Sequence, residues 1–297
     1  MGRPQFIREA EPAARSWHDQ GIAHPARRRE TRHRLDFLLE CVGIPPDEGL
    51  DRWVALAAEH GEPVPLRGDP ENHLRLPLSG GLEVRLDREP HREDWTLLPH
   101  FRTPQRLRVA VETIKQVPDS PFDALLTGWA APPAPDEPEF QEPGAYLIST
   151  WLTDARRLPT SLPRGHVLAI SIAGFALHVD YLGPNSGVRD PDILEKRRGA
   201  EVTPLGGGDN PGGCSEVSLR IKEIVHLQNR FTDQPVDLLW TDAPGRPLPI
   251  FLSPWQLEAD GLPMPRPGWR IEGAFLFTGT IAGGLPGPKK RAARAFG

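Results

Sequence analysis

From residue 73 onward the chain repeats itself in order, and a repeat constrains a fold more than any single motif, because each copy must be a unit that can pack against the other. Residues 73–87 (HLRLPLSGGLEVRLD) and 166–180 (HVLAISIAGFALHVD) share His73/His166, Gly81/Gly174 and Asp87/Asp180, and the alternate apolar positions Leu82, Val84, Leu86 match Phe175, Leu177, Val179. Residues 121–127 (PFDALLT) match 235–241 (PVDLLWT) at four positions of seven. Residues 149–163 match 253–267 at six of fifteen, including Trp151/Trp255 and Pro163/Pro267. A closing stretch, residues 270–284 (RIEGAFLFTGTIAGG), resembles the opening strand again, as if the last strand completes a sheet begun earlier.

The repeated region reads as β-structure: short runs of period-two alternation separated by Gly and Pro, of which the chain holds 29 and 35. Many of these mark turns of the shared unit. The others gather in two private insertions, a Pro-rich acidic one at residues 132–143 and a Gly-rich one at residues 183–215. Ahead of the repeat the periodicity is helical. Leu35, Leu38, Leu39 and Val42 fall at i, i+3, i+4, i+7, as do Leu50, Trp53, Val54 and Ala57, with Gly43, Pro45 and Pro46 between. The spacing predicts helices over residues 27–42 and 47–59 and a further one around 6–17. The fold expected is α+β and mainly antiparallel β. An N-terminal helical element (1–62) is followed by two related β-barrel or sandwich units, the first over 63–165 and the second over 166–284. A disordered basic tail occupies 285–297. OB-like barrels would fit the unit size by analogy.

Charge is unevenly placed. Residues 1–45 carry a net +2 and the last fifteen +4, so the stretch between holds −11 of the overall −5. An acidic body repels phosphate, which leaves the basic termini as the segments suited to nucleic acid. Two isolated cysteines, Cys41 and Cys214, suggest a reducing, cytoplasmic setting. No apolar stretch reaches the roughly 20 residues of a spanning helix, so no membrane is expected.

No residue set attains a catalytic or metal signature, and no cofactor or metal is expected. The segment 206–215 (GGGDNPGGCS) offers backbone N–H groups to an anion, but Gly213-Cys214 stands where a phosphate-binding loop requires Lys and Ser or Thr. Alternating Val217, Leu219 and Ile221 then point to a strand rather than a helix. As the larger insertion it is the first place to look for a ligand or partner loop, with Asp209, Asn210 and Cys214 on it. His178 and Asp180, or His226, are the residues that could serve Cys214 as base and acid. A solvated strand face explains His178 and Asp180, which stand where the first copy has Arg85 and Asp87. Trp95, Trp129 and Trp269 lie near turns and are the tryptophans expected to be exposed. Arg27, Arg28, Arg29, Arg32 and Arg34 form a basic surface on the first helix. The function expected is a non-catalytic cytoplasmic binding or scaffold protein engaging a protein partner. The alternatives are single-stranded nucleic-acid binding through tandem OB-like barrels, and an enzyme with its site at the Gly-rich loop.

Overall fold

A computed structural model describes residues 36–64, 71–88, 94–117, 120, 122–134, 143–182, 200–206 and 212–286. The expected helix at 6–17, the start of the one at 27–42, the basic residues Arg27 to Arg34 and most of the C-terminal tail lie outside the described residues.

The N-terminal element begins with a 3-10 helix over Asp36–Val42 where the spacing predicted an α-helix. Leu38, Leu39, Cys41 and Val42 are all buried. The tighter 3-10 turn puts i and i+3 in line, so Leu38 with Cys41 and Leu39 with Val42 form two adjacent rows, both turned inward. Helix α1 follows at Leu50–His60 and buries Trp53 and Ala57.

Strands β1 (Glu62–Pro63), β2 (His73–Ser79), β3 (Leu82–Asp87) and β4 (Thr96–Phe101) form a four-stranded antiparallel sheet in chain order. Gly80 and Gly81 turn β2 into β3 with φ of +56° and +96°, the left-handed pair that a two-residue hairpin turn demands. This corrects the first block of the sequence repeat. Residues 73–87 are a hairpin, whereas residues 166–180 lie almost wholly in one continuous strand. The shared glycine serves two purposes: Gly81 makes a turn, while Gly174 admits the Phe277 ring, which a Cβ would meet at 2.8 Å.

The remaining strands are β5 (Leu107–Gln116), β6 (Ala124–Ala130), β7 (Tyr146–Leu152), β8 (Val167–Leu182), β9 (Glu201–Pro204), β10 (Cys214–Gln228), β11 (Pro235–Thr241), β12 (Pro249–Phe251) and β13 (Arg270–Gly283). They form one sheet in the order β11-β12-β8-β5-β6-β7-β13-β10-β9, with further pairings β10–β11 and β8–β13. A 3-10 turn at Ala155–Arg157 follows β7, and a short helix α2 at Pro254–Ala259 follows β12. Within the Gly-rich insertion, β9 pairs with the start of β10, so the segment between Pro204 and Cys214 is bounded by strand on both sides.

Those pairings return on themselves. The long strands β8 and β13 form an antiparallel ribbon from Ala169/Gly283 to Leu182/Arg270. The other edge of β8 takes β5 at residues 167–170 and β12 at 174–175. The other edge of β13 takes β10 at 270–276 and β7 at 278–279. One circuit of hydrogen-bonded strands runs β8-β5-β6-β7-β13, the second β13-β10-β11-β12-β8. Only β7–β13 and β12–β8 are parallel. Val109, Leu126, Ile148, Leu168 and Ile170 are fully buried in the first, and Leu219, Ile221, Leu239, Ile250, Phe251 and Ile271 in the second. They belong to one apolar core that continues into the small sheet through Leu76, Val84 and Leu86, and into α1 through Trp53. Stripping any of the larger of these side chains to Ala costs roughly 2–5 kcal/mol.

The β5–β6 and β10–β11 hairpins reach beyond the circuits and grip the N-terminal elements. At the tip of the first, Phe122 lies edge-on to His73, ring centres 4.7 Å apart. At the tip of the second, the buried Asn229 donates Nδ2–H to the Val42 carbonyl at 2.9 Å, and Phe231 stacks on His60.

Candidate functional site

The two edges of β5 are used differently. Along one, β5 pairs with β6 over residues 109–116, with Glu112 bulged between Val111 and Thr113. Along the other, β8 covers residues 107–110, and Val111 closes the row by donating to the His166 carbonyl (2.9 Å) and accepting from the Gly165 amide (2.7 Å). Gly165, with φ +81°, then carries the chain away from the strand.

Beyond Val111 the parity of the ladder decides which groups are left over. The Val117 amide donates to the Asp123 carbonyl, so Lys115 and Thr113, two and four residues back, also face β6. Ile114 and Gln116 turn their N–H and C=O groups the other way, where no strand pairs with them among the described residues. That free edge lines a groove of about 380 Å³. Its floor is β5 from Val111 to Ile114 with Gln116, its end is Asp123 and Ala124 at the start of β6, and its far wall is the β7–β8 connection from Ala155 through Leu158 and Thr160 to Arg164. Arg164 ties wall to floor through a two-point ion pair with Glu112, Nε to Oε2 at 2.9 Å. The lining mixes apolar Val111, Ile114, Leu158 and Leu162 with polar Thr113, Gln116, Thr160 and Ser161.

Behind the groove lies a buried ionic layer. On β3 the apolar Leu82, Val84 and Leu86 face one way and Glu83, Arg85 and Asp87 the other. Both faces are buried: Glu83 is 1% exposed, Arg85 7%, and the neighbouring His100 and His73 0% and 2%. Arg85 Nε donates to Glu83 Oε1 at 2.9 Å, and His100 Nδ1 lies 3.4 Å from the same oxygen. Arg75 reaches the second Glu83 oxygen at 3.4 Å and also pairs with Glu62. His73 Nδ1 lies 2.8 Å from Asp87 Oδ1. The Phe122 ring caps His73, and the Arg156 guanidinium sits over that ring at 5.5 Å. Burial pushes the Asp154 carboxyl up, against the pull of the Ile281 amide, which donates at 2.9 and 3.1 Å, and of Arg157. The layer fixes the hairpin tip and the 3-10 turn that form two sides of the groove. Nothing in the alternation marked it, since a charged strand face reads as wet until a second element is seen to cover it.

The residues singled out in the sequence do not converge. Asp209 and Asn210 lie outside the described residues. Cys214 opens β10 at 3% exposure, and burial pushes its thiol up to about 12; Cys41 is likewise pushed up to about 12. His178 and Asp180 are exposed on β8. Cys214 and His178 flank β13 opposite Leu276 and Ala274, two strand spacings across and two residues along, roughly 12 Å apart. His226 is twelve residues along β10 from Cys214, about 40 Å of extended chain, and pairs with Asp237 at 2.7 Å. The tryptophans expected to be exposed are half-buried, Trp95 under Arg88 and Trp269 under Arg266. Among the described residues no group of three or more His, Cys, Asp or Glu is placed to hold a metal, and no helix is long and apolar enough to cross a membrane. Comparison of the chain with protein-family models, with curated proteins and with solved structures gave no match.

Proposed function

We propose that this is a non-catalytic, cytoplasmic binding protein that captures an extended segment of a protein partner by adding it as a strand to β5. The observation that carries the reading is the free edge at Ile114 and Gln116 opening onto the groove. Main-chain groups along such an edge supply sequence-independent affinity, and pockets for alternate side chains supply selectivity. The Glu112–Arg164 tie and the ionic layer behind Phe122 hold the slot open in advance, which lowers the ordering cost of binding. Both cysteines are free and buried, as suits a reducing compartment.

The scaffold behind the groove is read as an internal duplication, two related five-stranded barrels sharing β8 and β13. The units compared are β5–β8 and β10–β13. Each carries a bulge at the same place, between Val111 and Thr113 and between Ile221 and Glu223. Val111 donates to His166 as Ile221 donates to Trp269, and Gly165 and Gly268 return the bond with φ of +81° and +87°. The register pairs Thr127 with Thr113 and Trp240 with Glu223, so Thr127 corresponds to Trp240, one residue away from the match at Thr241 that sequence identity suggested. A slip of one exchanges the faces of a strand, which is why identity alone misplaced it.

The test is selection of binders from a displayed random-peptide library against the full chain. Selected peptides are expected to slow amide exchange at Ile114 and Gln116 and to lose affinity for Gln116→Pro, which removes an outward N–H. The corresponding change on the β10 edge, His226→Pro, leaves affinity unchanged. A library yielding no binder, or binders that protect other strands, would overturn the reading.

A further inference from the structure

Resting on that reading of the β5 edge, we infer that the docked segment runs antiparallel to β5 and that its chemistry is an alternating strand followed directly by acidic residues. The row of hydrogen bonds that the segment would join is already occupied beyond Val111 by β8, which runs antiparallel to β5 from Ala110/Val167 to Leu107/Ile170. A segment continuing that row in the same sense, the better-bonded antiparallel one, has its C-terminal end at Gly165. There the chain path is blocked by β8 itself, so whatever follows must leave over the outer surface of β5 and β8.

Exposed arginines line that surface. Arg164 at the junction is already paired with Glu112, so the uncompensated charge lies beyond it. Arg108 is exposed on β5 opposite Ala169, whose own neighbour on β13 is Gly283, so no large side chain rises beside it. Arg106 and Arg102 are also exposed, and none of Arg102, Arg106 and Arg108 has an ion-pair partner among the described residues. Their connection is held firmly: the Thr103 amide donates to Ser171 Oγ at 3.3 Å, and that hydroxyl donates back to the Thr103 carbonyl at 3.1 Å. Arg108 lies four residues from Glu112, about 13 Å along the strand, within reach of three or four residues leaving the slot. The three exposed arginines match a short acidic run, whereas a polynucleotide would also have to lie along the rest of a body that carries −11 over residues 46–282 and repels it.

The experiment uses the full chain and three synthetic peptides with one Val-Thr-Val-Thr-Val-Thr core: bare, with four Glu after it, and with four Glu before it. Binding is followed by fluorescence anisotropy at low and at raised salt. The peptide with trailing Glu is expected to bind about tenfold more tightly than the bare one, the yield of a few exposed ion pairs. That gain disappears in raised salt and in Arg106→Glu/Arg108→Glu, while the bare peptide is indifferent to both. Leading Glu matching or exceeding trailing Glu, a gain that survives charge reversal, or an oligothymidylate competing through the same arginines would each overturn the inference. Gln116→Pro separates the two levels: it weakens all three peptides if the edge is the docking site, and its failure to do so refutes that reading instead.

Discussion

Proline placed at successive positions of β5 distinguishes its two edges. Lys115 lies opposite Leu125 with the same parity as Val117 opposite Asp123, so its N–H belongs to the β5–β6 ladder. Lys115→Pro removes that donor, strands the Leu125 carbonyl and sets a ring against β6. The cost is about 3 kcal/mol or more, of which roughly 1–3 is the orphaned acceptor. Gln116, one residue on, spends its N–H on the groove. Gln116→Pro loses only the contact of Gln116 Nε2 with the Ser120 carbonyl at 3.4 Å and some freedom in φ, about 1 kcal/mol. The difference of about 2 kcal/mol corresponds to about 4–8 °C in unfolding midpoint for chains approaching this size. Thermal unfolding followed by far-ultraviolet circular dichroism measures it, and urea midpoints at unchanged m-value confirm that stability and not compactness has changed. Equal destabilisation by the two prolines would refute the edge assignment, and the groove with it as a strand acceptor.

Other outcomes follow from the buried groups. Cys41 and Cys214, both pushed up to about 12 by burial, stay unmodified by iodoacetamide at pH 8 in the folded protein and react only on unfolding; mass spectrometry after timed alkylation reads this directly. Glu83→Ala leaves the buried Arg85 without its carboxylate partner and costs about 3–5 kcal/mol in urea unfolding, whereas an exposed pair such as Arg52–Glu48 costs less than about 1 when either partner is removed. Burial raises the Asp154 carboxyl above its unfolded value, so its ionised form costs stability at neutral pH. That cost falls away as pH drops through the folded pKa toward the ordinary carboxylate range. Across that window the unfolding free energy of the wild type rises relative to Asp154→Asn, and a difference that stays flat would contradict the shift.

Much of the fold was legible because period and punctuation are local. Alternating Val217, Leu219 and Ile221 marked β10, and Leu50, Trp53, Val54 and Ala57 marked α1, though the helix starts three residues later, after Gly49. The closing stretch at 270–284 did complete a sheet, as β13. What stayed hidden depends on partners distant in sequence. Glu83, Arg85 and Asp87 show only that the two faces of β3 differ; which face is sealed depends on Phe122 and the turn after β7. Side-chain pattern reports faces and never edges, so nothing in Ile114 or Gln116 signals an unpaired N–H. The bulged Glu112 shifts parity halfway along its strand, and similarity counted in single file cannot register that.

The ribbon of β8 and β13 also dictates when the chain can fold. Both circuits close on β13, so neither is complete until residue 283 has been synthesised, although β5 to β8 are finished by residue 182. At about 5–20 residues per second, translation leaves the earlier strands unsealed for roughly 5–20 s. During that interval the edges of β7 and β8 that β13 will cover are open to any passing strand, and Asp180 on β8 is a charge that discourages a wrong one.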